Sequence, residues 1–206
     1  NCSLVENHRA FFDLVIHWMR LAYEIFGEKN QKEILILHGL FGSKRNWFSI
    51  AKAIANFGYK VWVLDLRNHG DSEWSENHTY FDLASDVDNF LKENNIKDAC
   101  LIGHSMGGIV AMELVRQYSK RVLSLALLNT NPYKEKEELK DRRNKTLKEL
   151  DALDLISLMR SDYISRYFPD DCRDKNKLIQ QCIDMASILD KKVFYNQSIA
   201  LLSLIH

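Results

Sequence analysis

Four short, largely apolar runs, at residues 34–37, 61–64, 99–102 and 123–128, alternate with stretches of helical periodicity. Of all the features in the chain, this one restricts the fold most. A strand that is apolar at consecutive rather than alternate positions is suited to burial on both faces. Strands that alternate with helices are joined in parallel by right-handed crossovers, which lay helices over both faces of the sheet. The expected fold class is therefore α/β, a parallel, doubly covered sheet. Its ligand-binding loops should lie where the C-terminal ends of the strands meet.

The segments between the runs fit this scheme. Residues 45–57 set Trp47, Ile50, Ala51, Ile54 and Ala55 on one helical face, with Gly58 as a stop. Thr79 and Asp82 have the spacing of a capping box, ahead of a helix whose apolar face is Phe81, Ala84, Val87 and Leu91. Residues 106–118 predict a helix with Ile109, Val110, Met112, Val115 and Tyr118 inward. Upstream, Met19 to Gly27 alternates like a first strand ending at a turn, and residues 1–18 read as a leader of uncertain structure. After Asn131-Pro132 the character changes. A mixed-charge helix is expected over 134–150, then one over 153–167 with Leu153, Ile156, Met159, Tyr163 and Tyr167. Phe168-Pro169-Asp170 breaks the chain; 174–190 carries Leu178, Cys182, Met185 and Leu189, and 193–205 predicts a last helix. The expected organisation is thus 1–18 leader, 19–131 α/β core and 132–206 helical block.

Composition supports that division. Average usage would give about 14 Gly and 10 Pro; this chain of 206 residues has 8 and 2, and no Gly follows residue 108. The second half is therefore not a series of strands joined by tight turns. Charges balance at 28 against 28, which argues against nucleic acid or a membrane surface as an electrostatically driven partner. The cysteines, at 2, 100, 172 and 182, have no metal-site or redox-pair spacing, and a reduced, cytoplasmic setting is expected. No run approaches the 18 or so apolar residues of a membrane span, and Glu6, Arg9 and Asp13 spoil a secretory h-region.

The sharpest local signal is Gly103-His104-Ser105-Met106-Gly107-Gly108, which follows an apolar strand and opens an apolar-faced helix. In that context G-x-S-x-G is a nucleophile elbow. The turn holds the serine in a strained conformation with its hydroxyl above the sheet edge. Side chains at 103 and 107 would collide across it, and the helix N-terminus and Met106 N–H favour a developing oxyanion. A second segment, His38-Gly39-Leu40-Phe41-Gly42-Ser43, follows the run at 34–37. Its backbone can offer an N–H to a substrate oxygen, and His38 reads as a residue that orders the loop rather than as a base. A third, Asp65-Leu66-Arg67-Asn68-His69-Gly70-Asp71-Ser72, follows the run at 61–64, and Asp65 and Arg67 are expected to brace it.

Together these three segments resemble the α/β-hydrolase superfamily, and in particular its cofactor-independent serine esterase branch. The resemblance covers about residues 19–131; the helical block looks, less specifically, like the lid inserted after the sixth strand in that family. It implies Ser105 as nucleophile and oxyanion N–H groups from Leu40 and Met106. It also implies a substrate site shaped by His38, Gly39, Phe41 and His104, and lid helices walling an apolar acyl pocket. The substrate would be a small-molecule acyl ester or thioester, with no cofactor and no metal.

The resemblance also exposes a gap. In this fold the triad runs Ser, then acid, then His. The histidines are at 8, 17, 38, 69, 78, 104 and 206, so only the last follows Ser105, and the strand end at 129–131 reads Asn-Thr-Asn rather than offering an acid. The chain is expected to be C-terminally truncated, to lack the last core strands, and to hydrolyse esters only at an impaired level. Alternative readings are an acyltransferase or lyase of the same fold, and an inactive fragment or binding module. Nucleotide binding is poorly supported, since 103–108 is neither G-x-G-x-x-G nor a P-loop, and Ser at 105 excludes an Asp nucleophile.

Overall fold

The computed structural model describes residues 19–131, 133, 136–150, 154–162, 164, 168–187 and 189–202. The expectations for 1–18, for Leu153, Tyr163 and Tyr167, and for His206 lie outside the described residues. The first half runs β1 (Tyr23–Phe26), β2 (Lys32–Leu37), α1 (Phe48–Ala55), β3 (Tyr59–Leu64), α2 (Tyr80–Glu93), β4 (Ala99–His104), α3 (Met106–Tyr118) and β5 (Val122–Leu128). A 3-10 turn at Lys44–Trp47 leads into α1, so the helix expected over 45–57 is shorter and irregular at its start.

The strands form one sheet in the order β1-β3-β2-β4-β5. β2 to β5 are parallel, whereas β1 pairs antiparallel with β3. This corrects the expectation that every strand ends at the same edge. Five residues separate β1 from β2, too few for the dozen or more that a parallel crossover needs, so β1 must run the other way.

Consecutive apolar residues on β2 feed two cores. Leu35 and Leu37 join Leu64, Leu83, Val87, Leu101 and Val110 beneath α2 and α3. Ile34 and Ile36 join Val61, Val63, Trp47 and Ala51 beneath α1. The Thr79–Asp82 capping box is formed: Asp82 N–H donates to Thr79 Oγ1 at 3.1 Å and Thr79 N–H donates to Asp82 Oδ2 at 3.2 Å. Ala84, Val87 and Leu91 are buried as expected, but Phe81, expected on the same face of α2, is exposed, and Leu83 and Phe90 are buried with them instead. The larger correction concerns β5. It reads as a strand buried on both faces, yet Leu123 is 63% exposed and Leu125, Leu127 and Leu128 are also exposed. β5 is the edge of the sheet, with β4 as its only strand neighbour among the described residues.

Among the described residues four helices follow: α4 (Glu137–Glu149), α5 (Leu155–Asp162), α6 (Lys175–Ala186) and α7 (Lys191–Leu202). They enclose a separate apolar cluster of Leu150, Leu158, Met159, Ile164, Ile183, Ala186 and Phe194, into which Phe41 inserts from the loop after β2. α7 touches both cores, because Ala200 is buried in the cluster beneath α2 and α3. No described helix is long and apolar enough to cross a membrane.

Candidate active site

β2 and β4 are adjacent, and their following helices, α1 and α3, cover opposite faces of the sheet. A crevice opens between the C-terminal ends of two such strands. It holds the loop after β2 and the turn after β4, and a cavity of about 520 Å³ lies over them. His38, Gly39, Leu40, Phe41, His104 and Ser105 all line this cavity. Met106 does not; its side chain is buried behind Ser105 as the first residue of α3.

Ser105 has φ 50° and ψ −116°, outside the regions open to ordinary L-residues. Such a conformation costs on the order of 1–3 kcal/mol, and its surroundings hold it. Ser105 N–H donates to Leu128 O at 2.9 Å, which ties the turn to β5. Thr130 Oγ1 donates to Ser105 O, and Gly108 N–H reaches the same carbonyl at 3.0 Å. Close approach explains the glycines: a Cβ on Gly103 would meet Gly108 Cα at 2.5 Å, and one on Gly107 would strike the carbonyl of Leu37. Thr130 is a residue that sequence reasoning missed; its one signal is a short hydroxyl side chain at the end of the strand beside the elbow.

The loop after β2 begins with a four-residue turn. Gly42 N–H donates to Gly39 O at 3.0 Å, and Phe41 sits in the left-handed region at φ 61°. A non-glycine residue there costs about 1–2 kcal/mol. His38 supports the turn from below. Leu66 N–H donates to its Nε2 at 3.0 Å, so the proton resides on Nδ1, which donates to Gly39 O at 2.8 Å. Both ring nitrogens are engaged, and burial pushes the pKa down to about 4, so the ring is neutral and cannot accept a proton from serine. A Cβ on Gly39 would lie 2.7 Å from His104 Nδ1 and 3.2 Å from Ser105 Cβ, so a side chain there would close the approach to the serine.

The loop after β3 is braced from within. Asp65 accepts from Lys44 N–H at 2.6 Å, Lys44 Nζ at 2.5 Å and Asp71 N–H at 3.0 Å. Burial works against the Lys44 charge, but Asp65 and Asp71 outweigh it and raise its pKa. Arg67 makes a two-point contact with Asp86, at 2.5 and 2.7 Å. His69 Nδ1–H donates to Arg67 O, and its Nε2 accepts from Gln197 Nε2 of α7 at 2.8 Å. His78 Nδ1 accepts from Asn68 Nδ2 at 3.1 Å. Burial holds both of these rings neutral, at about 3. His104, whose ring is tilted 60° against that of Trp47 with centroids 5.8 Å apart, has its pKa lowered by burial.

The arrangement thus offers a strained hydroxyl at a helix N-terminus, a backbone turn beside it and an apolar chamber above. Trp47 and Ile50 wall that chamber from below, and Met159, Ile164 and Met185 wall it from the helices.

Residues 32–155 match the family model described as alpha/beta hydrolase fold. Among curated proteins, the chain is 40% identical over 116 residues to the sn-1-specific diacylglycerol lipase of Danio rerio, covering 55% of this chain and 37% of that protein. It is 40% identical over 108 residues to a probable alcohol acetyltransferase of Saccharomyces cerevisiae, covering 50% of this chain and 32% of that one. The matched region is therefore about a third of the length of these relatives. Among solved structures, an esterase from Exiguobacterium antarcticum superposes with a TM-score of 0.78 at 18% identity, over 90% of this chain and 70% of its own. The match to the family model, over more than half of the chain, shows that this protein belongs to the α/β-hydrolase fold family.

Proposed function

We propose that the protein acts on small-molecule carboxylic esters or thioesters through an acyl-Ser105 intermediate. The observation that carries this reading is Ser105 itself, held at φ 50° at the head of α3 and opening into the apolar cavity. In the reaction, Ser105 Oγ adds to the acyl carbonyl. The N–H groups of Met106 and Leu40 receive the oxyanion, and the alcohol leaves with the serine proton. The helical block serves as a lid whose Met159, Ile164 and Met185 accept the acyl chain. The diacylglycerol lipase named above supports an ester substrate with an apolar acyl group.

The same intermediate can pass its acyl group to an alcohol instead of water. The resemblance to a probable alcohol acetyltransferase supports this second reading. Product analysis with and without added ethanol separates the two.

The 206-residue chain is proposed to react slowly. A triad histidine needs a carboxylate on its second nitrogen to orient it. Three of the four described histidines spend ring nitrogens on Gly39, Leu66, Arg67, Gln197 and Asn68, and no carboxylate contributes to the lowered pKa of His104. The test is covalent labelling with a fluorophosphonate probe. Wild-type protein should label slowly at a single site, and Ser105→Ala should not label. Equal labelling of the two proteins would refute the assignment.

A further inference from the structure

We propose that Phe194 of α7 is a positioning residue for the site: acting through Phe41, it selects the form of the Gly39–Gly42 turn. Seating of the helical block and assembly of the oxyanion-binding turn are then one coupled event. The consequence for catalysis rests on the acyl-Ser105 reading; the coupling itself does not.

The turn poses the problem. It is closed by Gly42 N–H to Gly39 O at 3.0 Å, and of its two central residues only the second, Phe41, is left-handed. That is the type II pattern, in which the second central position ordinarily falls to Gly. With an L-residue there, the type I form is intrinsically preferred. The two forms differ by a rotation of about 180° of the peptide that joins the central residues. The rotation exchanges the edge of the Leu40–Phe41 peptide that meets the cavity, Phe41 N–H in one form and the Leu40 carbonyl oxygen in the other, while Leu40 N–H, in the preceding peptide, keeps its place. A carbonyl facing the serine would repel a developing oxyanion, so the choice of turn bears directly on the chemistry.

The solution lies in the Phe41 side chain. It leaves the sheet and enters the cluster of the helical block, where the seven other buried members all follow residue 149. There it stacks on Phe194, with ring centroids 5.4 Å apart and planes inclined by 14°. Phe194 is fully buried. Its helix is pinned to the α/β core on either side of it: Lys192 Nζ pairs with Glu76, and Gln197 Nε2 donates to His69. Ala200, further along, is buried beneath α2 and α3. α7 therefore presents the Phe194 ring from a fixed position, and the left-handed form of Phe41 is the one whose ring meets it.

The experiment measures two quantities in the full chain: the rate of Ser105 labelling by a fluorophosphonate, and hydrogen exchange at the amide of residue 41, the N–H that the rotation moves. Phe194→Ala should slow labelling about tenfold, the order of factor by which one left-handed non-glycine residue is disfavoured. Exchange at the amide of residue 41 should change by a similar factor, whereas Gly42 N–H closes both forms of the turn and does not tell them apart. Adding Phe41→Gly to Phe194→Ala should restore both to within about threefold of wild type, because glycine takes positive φ without a ring to hold it. That rescue is the decisive result, since the double variant removes still more buried area and a purely structural role predicts further loss. Phe194→Leu keeps the cluster filled without a flat ring and replaces Phe194→Ala should the latter unfold; it should show the same slowing and the same rescue. Unchanged rates in the single variant, or no rescue in the double, overturn the proposal. Should wild type label no faster than Ser105→Ala, the serine reading fails, and exchange at the amide of residue 41 decides the coupling alone.

Discussion

Asp65 and Asp71 show how differently two carboxylates on one lysine can matter. Asp65 is fully buried and holds Lys44 by both its backbone N–H and its ammonium. Asp71 meets the same ammonium from a side chain 63% exposed. Removing a buried partner strands a charge and costs about 3–5 kcal/mol, whereas an exposed pair, screened by solvent, contributes about 1 kcal/mol or less. Asp65→Ala should therefore lower unfolding stability by about 3 kcal/mol, towards the small end because Asp71 remains. Asp71→Ala should lower it by under about 1 kcal/mol. Urea titration of the two variants checks the difference. The bracing role of Asp65 and Arg67 was legible in sequence, since charged residues directly after a buried strand must find partners. Thr130 was not legible, because its role arises only when β5 brings it against the elbow.

Among the elements, α2 was readable at its start and misread along its face. The Thr79–Asp82 box depends on residues three apart, so local spacing suffices to place it, and Thr79→Ala should cost about 1 kcal/mol in urea unfolding. Which residues of the helix are buried depends on how α3 and the sheet meet it, and Phe81 fell on the wrong side for that reason. β5 makes the same point more strongly. Its composition suits a strand covered on both faces, but coverage is supplied by neighbours, and among the described residues β5 has a strand on one side only. The helix-opening motif was legible throughout, because the glycines of an elbow are dictated by contacts within about six residues and against β2. The partnership of Phe41 with Phe194 was not, since 153 positions separate them and no periodicity links them.

For the molecule as a whole, the buried histidines set a distinctive response to acid. Burial keeps His38 near 4 and His69 and His78 near 3, below the ordinary 6.5. At pH 7 and above, both folded and unfolded chains hold these rings neutral. As the pH falls through about 6.5, the unfolded chain takes up protons that the folded chain refuses, so stability falls, and continues to fall until the folded values are reached. Between pH 7 and 5 each ring should remove about 1–2 kcal/mol, a large share of an ordinary domain's stability. The carboxylates held low by cationic partners, such as Asp71 beside Lys44, act only at lower pH. The window therefore belongs to the histidines, and His78→Gln should reduce the loss by about one such increment. Urea midpoints at the two pH values provide the measurement.

The most direct test of the central claim is the intact mass of the chain after exposure to p-nitrophenyl butyrate. A single butyryl adduct located on Ser105, absent from Ser105→Ala, is predicted. It should be accompanied by turnover far below that of a complete triad, whose loss costs about a millionfold in a well-studied case. No adduct on Ser105, or an equal adduct on Ser105→Ala, would contradict the assignment of the nucleophile, and turnover at ordinary esterase rates would contradict the proposal that none of the described histidines serves as a working base.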